Sequence, residues 1–145
     1  MLEVLFSVVT GLLVAAGFGS SVGSTLLVAP LLFTTLEPED AFSFTRRLWP
    51  TYFLILGVVG FIGAVLSLVL PLGWQPPVAL GLVTGVMATN YALTRWMRRL
   101  RPSYDDPGDD AYQRLHGLTF YLNLLVILLF GWALVRFFLE FQPLH

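Results

Sequence analysis

No Asp, Glu, Lys or Arg occurs from Val4 to Leu36, from Leu48 to Thr94 or from Leu115 to Val135. The middle window is split by Pro71-Leu72-Gly73-Trp74-Gln75-Pro76-Pro77, a string of turn-forming residues. Crossing about 30 Å of hydrocarbon takes roughly 20 mostly apolar helical residues. The pattern therefore predicts an all-α integral membrane protein, a four-transmembrane-helix bundle, with residues 1–145 forming a single transmembrane domain. Helices are expected over about 4–35, 49–70, 78–97 and 115–138, with loops at 37–47 and 98–114 on one side and a turn at 71–77 on the other.

The first window is too long for one perpendicular crossing, since as a single helix it would reach about 50 Å. It is expected either to tilt and project, or to loosen near Gly17-Phe18-Gly19-Ser20-Ser21 or at Pro30. In the first loop, Glu37, Glu39 and Asp40 suit the start of a short helix running through Phe42 and Phe44 to Arg46-Arg47. The second span is expected to begin at Trp49, with Pro50 in a first turn whose N–H groups have no intrahelical partner. Pro143 marks the tail of the last helix.

Orientation follows from the arginines, because basic residues flanking spans are retained in the cytoplasm. Arg46, Arg47, Arg95, Arg98, Arg99, Arg101 and Arg114 flank the first and third loops, and only Arg136 lies at the opposite ends. The expected arrangement is a bacterial inner membrane protein with both termini outside the cytoplasm. Met1-Leu2-Glu3 lacks the positive start of a secretory signal, so the first apolar run is read as a retained span. Trp49, Trp74, Trp96 and Trp132 fall near span ends, where an indole is favoured.

Composition agrees with lipid as the main solvent: 57% of residues are hydrophobic and 12% charged, against roughly 25% charged in soluble domains. A net charge of −1, with no basic run beyond Arg98-Arg99-Leu100-Arg101, gives a nucleic acid no electrostatic footing. The absence of cysteine removes disulfides, thiolate metal sites and thiol catalysis. His116 and His145 are expected on opposite sides, so no metal site is expected, and Asp105 to Asp110 lack the ligand spacing of a calcium loop. No nucleophile elbow, paired-histidine helix or phosphate loop is present, so no catalytic residue and no cofactor is assigned.

Small residues recur at helical spacing in three spans: Ala16, Ser20 and Gly23; Gly57, Gly60, Ala64 and Ser67; Gly81, Gly85, Ala88 and Ala92. Such stripes let helix backbones approach within the bundle or between copies, and a homo-oligomer is expected. A polar set lies toward the arginine-rich side. Asn90 and Asn123 should sit at similar depths, on the order of 10 Å from that interface, and could hydrogen-bond to each other. His116, Thr119 and Asn123 share one helical face, with Arg46 and Arg95 nearby to meet an anionic group. The set reads either as interhelical glue or as a site for a small solute or ion.

Three ordered segments carry a resemblance: Val28-Ala29-Pro30-Leu31-Leu32-Phe33 leading to Leu48-Trp49-Pro50-Thr51-Tyr52-Phe53; Asn90 followed by Arg95 to Arg101; and His116-Gly117-Leu118-Thr119 with Asn123-Leu124. They resemble the transmembrane protein 205-like family of small four-span membrane proteins. The family commonly has a Pro-Arg pair where this chain has Thr94-Arg95. The resemblance implies a four-span protein and singles out Pro30, Pro50, Tyr52, Asn90, His116, Gly117 and Asn123, without implying a reaction. Three functional expectations stand side by side: solute or ion transport by an oligomer in the lipid bilayer, a non-catalytic scaffold, and a haem-binding redox protein.

Overall fold

The computed structural model describes residues 2–106 and 108–140, which leaves Pro143 and His145 outside the described residues. Four helical runs are long and apolar enough to cross a membrane, as a multi-pass membrane protein requires. The first comprises α1 (Leu2–Gly23), a π-helical turn (Ser24–Val28) and α2 (Ala29–Thr35). The others are α3 (Pro38–Val69), α4 (Gln75–Leu100) and α5 (Asp110–Glu140).

The first run loosens directly before Pro30, while Gly17 to Ser21 stay α-helical. The Ala29 N–H donates to the Ser24 carbonyl, five residues back instead of four. Proline supplies no N–H and its ring crowds the carbonyl four residues earlier, here Leu26; one wider turn relieves that crowding.

The short helix expected in the first loop is present, but it is continuous with the second span. The chain breaks only at Leu36-Glu37, where the backbone is extended, and α3 then runs unbroken from Pro38 through Arg46-Arg47 and past Pro50. Pro50 is thus interior to the helix, not in its first turn. Helices α4 and α5 also outrun their expected bounds, because Arg98 and Arg99 at the end of α4 and Asp110 at the start of α5 suit the helix dipoles. Between α3 and α4 the chain reverses at Gly73, whose φ of 66° is costly for any other residue type.

The spans form an up-down-up-down ring in which α1 touches α3 and α5, and α4 touches the same two from the opposite corner. Val14, Leu56, Leu80, Val83, Met87, Val126 and Phe130 fill its centre. Helices α1 and α5 meet through glycines: Gly11 faces Phe137, Gly17 faces Phe130 and Gly131 faces Phe18. Helices α3 and α4 meet at Gly60, where a Cβ would lie 2.9 Å from Val83 and 3.1 Å from the Leu80 carbonyl.

Only one of the three small-residue stripes packs inside this monomer. Gly60 and Ser67 are buried on α3, but Ala16 and Ser20 on α1 and Gly81, Gly85, Ala88 and Ala92 on α4 are exposed. The inner face of α4 instead carries Leu80, Val83, Met87, Asn90, Thr94 and Met97. Helical spacing fixes that small residues form a stripe; which way the stripe points depends on the volume its neighbours must fill.

The two ends of the ring differ. Near the 70–74 turn, Leu70, Leu72 and Phe137 close the core. Toward the arginine-rich end α2 buries no residue and rests only lightly on α3, so the ring is loosest between α2 and α5.

Candidate functional site

The arginine-rich end is organised by Pro50. Because Pro50 has no N–H, the Arg46 carbonyl loses its helical partner, and the Arg98 guanidinium of α4 donates to it instead. Arg46 reciprocates at the C-terminus of α4, where the last carbonyls lack intrahelical donors. Its guanidinium donates to the Arg101 carbonyl at 3.0 Å and the Pro102 carbonyl at 2.6 Å. Arg101 completes the group: its guanidinium lies 4.6 Å from the Phe42 ring centre and 5.5 Å from that of Tyr112, and donates to the Asp106 and Tyr104 carbonyls.

Three guanidinium charges therefore gather on backbone carbonyls and aromatic faces. Among the described residues the one ion pair is Arg136–Glu140, so Arg46, Arg98 and Arg101 have no carboxylate within ion-pair distance.

Beneath these guanidiniums lies a cavity of about 440 Å³. Its walls are Thr25, Ala29 and Phe33 of the first run, Phe42, Thr45, Arg46, Trp49, Pro50 and Phe53 of α3, Thr94, Met97 and Arg98 of α4 with Arg101 just past its end, and Tyr112, Gln113, His116, Thr119, Phe120 and Asn123 of α5. At its deep end Asn123 ties three spans together. The Tyr52 hydroxyl donates to Asn123 Oδ1 at 3.4 Å, Asn123 Nδ2 donates to Thr25 Oγ1 at 2.5 Å, and the Thr25 hydroxyl donates to the Ser21 carbonyl at 2.8 Å. Thr25 belongs to the π-helical turn, so the widening before Pro30 carries one member of this chain.

Of the residues singled out in the sequence, Arg46, Pro50, His116, Thr119 and Asn123 line the cavity, and Tyr52 reaches it through Asn123. His116 is exposed and stacks on Tyr112 with 6.1 Å between ring centres. The Thr119 hydroxyl donates back to the His116 carbonyl at 2.8 Å. Arg95 is exposed and outside the lining, because it lies about 100° around α4 from Thr94. Asn90 does not bond Asn123: it is fully buried, and neither amide atom has a hydrogen-bond partner. Pro30 and Gly117 stand outside the lining as well, with open space where a Gly117 Cβ would be.

Sequence reasoning missed Arg98, Arg101 and Phe42. The signal was present in part, since a proline inside a helix identifies the carbonyl four residues earlier as an acceptor in need of a donor. A second polar group was missed at the opposite end. Arg136 and Glu140 pair at 2.7 Å, while Arg136 Nε, Glu140 Oε2 and Gln75 Oε1 are buried without partners. Among the described residues no three His, Cys, Asp or Glu side chains converge as a metal site.

Neither a curated protein nor a solved structure matches the chain. A family model does, over residues 12–103, a segment that carries Thr25, Arg46, Pro50, Tyr52, Arg98 and Arg101 and ends before His116 and Asn123. That match covers more than half of the sequence, and the chain belongs to the family described as a domain of unknown function, DUF4149.

Proposed function

We propose that this membrane protein binds a small anionic molecule in the cavity at the arginine-rich end of its bundle. The observation that carries the reading is the gathering of Arg46, Arg98 and Arg101 over one cavity, with no carboxylate within ion-pair distance among the described residues. Guanidinium groups already seated on carbonyls and rings still present free N–H donors, and a hydrogen bond from a guanidinium to an anion is roughly twice as strong as one between neutral groups. By the arginine count this end faces the cytoplasm of a bacterial cell, with both termini outside. The resemblance to the transmembrane protein 205-like family belongs to the same proposal. Of its signature residues, Pro50, His116 and Asn123 line the cavity and Tyr52 bonds Asn123.

The geometry of one copy favours binding over passage. Below Asn123 the core is filled by Val14, Leu56, Met87, Val126 and Phe130, so the cavity is a dead end within the monomer.

Anion binding is tested on detergent-solubilised protein by thermal unfolding in a titration of octyl phosphate against octyl trimethylammonium. A ligand at a hundred times its dissociation constant stabilises the folded state by about 2.7 kcal/mol. The phosphate should raise the unfolding temperature, and Arg101→Gln should weaken that response. Equal responses to both amphiphiles, unchanged by Arg101→Gln, would show that the guanidiniums recognise no anion.

A further inference from the structure

We infer that the occupant of the cavity is an anionic glycerophospholipid of the surrounding leaflet, its phosphate at the guanidiniums and one acyl chain entering sideways between α2 and α5. This inference rests on the anion-binding reading and adds the source of the anion and its route.

The route follows from where the ring of helices stops being closed. Along the first run and α5 the contacts run Gly11 with Phe137, Gly17 with Phe130 and Thr25 with Asn123, and the last is a 2.5 Å hydrogen bond. Beyond Thr25 the two walls part. Ala29 and Phe33 line one side and Thr119 and Phe120 the other, yet α2 buries none of its residues. Phe33 is 62% exposed and Phe120 52% exposed, so both rims of the gap are aromatic and face the hydrocarbon that surrounds the spans.

Depth and volume point the same way. From Arg46 to Phe53 is two helical turns, which puts the apolar floor about 10 Å below the guanidinium layer. A freely soluble anion has no use for that depth, whereas an acyl chain fills it. Pockets that enclose a drug-sized molecule span roughly 300–1,000 Å³. At about 440 Å³ this cavity holds a headgroup phosphate and part of one chain, not a two-chain lipid. The remainder must stay in the bilayer, as a lateral gap allows.

Trp49 lines the cavity and is less exposed than Trp74, Trp96 and Trp132, which makes it a reporter. The experiment uses the full chain with those three replaced by phenylalanine, in phosphatidylcholine vesicles. Phosphatidic acid with a brominated acyl chain is titrated in, because bromine quenches indole fluorescence only on contact. Quenching of Trp49 is expected at a lower mole fraction than with brominated phosphatidylcholine. The advantage should fall by about fivefold on removing one guanidinium in Arg101→Gln. Ala29→Phe, which narrows the gap without touching an arginine, should abolish chain contact even if Arg101→Gln fails to fold.

Two results overturn the inference separately from the reading beneath it. If glycerol 3-phosphate competes with phosphatidic acid at equal concentration, the anion site stands and the lipid assignment falls. If brominated phosphatidic acid and phosphatidylcholine quench alike and glycerol 3-phosphate does not raise the unfolding temperature, both fall.

Discussion

The two ends of the bundle solve the same problem, charge beside hydrocarbon, in opposite ways. At the end near Gly73, Arg136 and Glu140 neutralise each other one helical turn apart, and Leu70, Leu72 and Phe137 fill the space beneath. At the other end, Arg46, Arg98 and Arg101 are held by carbonyls and rings, and the space beneath them is open. The paired end is neutral overall although Arg136 Nε, Glu140 Oε2 and Gln75 Oε1 stay buried without partners, whereas the three guanidiniums face a cavity with no carboxylate within ion-pair distance among the described residues. The contrast supports the proposed anion site at the arginine-rich end without any appeal to a motif.

The largest test of this contrast is all-or-none. The chain has no cysteine, so Ser43→Cys and Pro71→Cys, both at exposed positions, should label from opposite sides of a sealed vesicle. Labelling of both from one side would abolish the two-ended description. Next in size is packing. Phe130→Ala, at a fully buried position in the closed half, should cost about 3–5 kcal/mol in denaturant unfolding. Ala133→Leu in the same half should cost about 1–3 kcal/mol by overpacking, whereas Ala29→Leu at the cavity wall should be nearly neutral. Equal penalties for the two alanines would mean that the cavity is not open space. Asn123→Leu removes the bonds to Tyr52 and Thr25 and should cost about 1 kcal/mol, the usual scale for interhelical hydrogen bonds in membranes. The smallest effect is expected at Gly85, on the outer face of α4, where leucine should change monomer stability by no more than about 0.5 kcal/mol. A change in the size of the solubilised particle with Gly85→Leu would instead identify that face as one covered by a second copy.

The spans were legible because charge-free windows of sufficient length admit little else in a chain this apolar. Helix ends were less legible: α3 runs eleven residues ahead of its expected start at Trp49 because the polar segment from Pro38 continues as helix through the interface. Of the site, the face of His116, Thr119 and Asn123 followed from helical spacing. Arg95 and Asn90 did not join it, since proximity in sequence and similar depth fix neither azimuth nor partner. The glycine stripes illustrate the same limit. Gly57 to Ser67 and Gly81 to Ala92 have comparable spacing, yet the first turns toward α4 and the second away from the bundle. What chooses between them is the larger side chains alongside, and those are judged only against the other helices. The arginine clamp was least legible, because its partners are carbonyls, which every residue has: Pro50 marks that of Arg46, but nothing in the sequence marks those of Arg101 and Pro102.

Pro50 gives that clamp a thermodynamic consequence. Arg98 is the donor for a carbonyl that its own helix leaves bare, so a ligand that draws Arg98 away must compete with the protein's backbone. An anion that wins exposes a break in the α3 hydrogen-bond ladder at the edge of the bilayer, and water is the donor at hand to repair it. Any displacement of Arg98 is thereby coupled to hydration of the α3 backbone at a single residue that carries no charge.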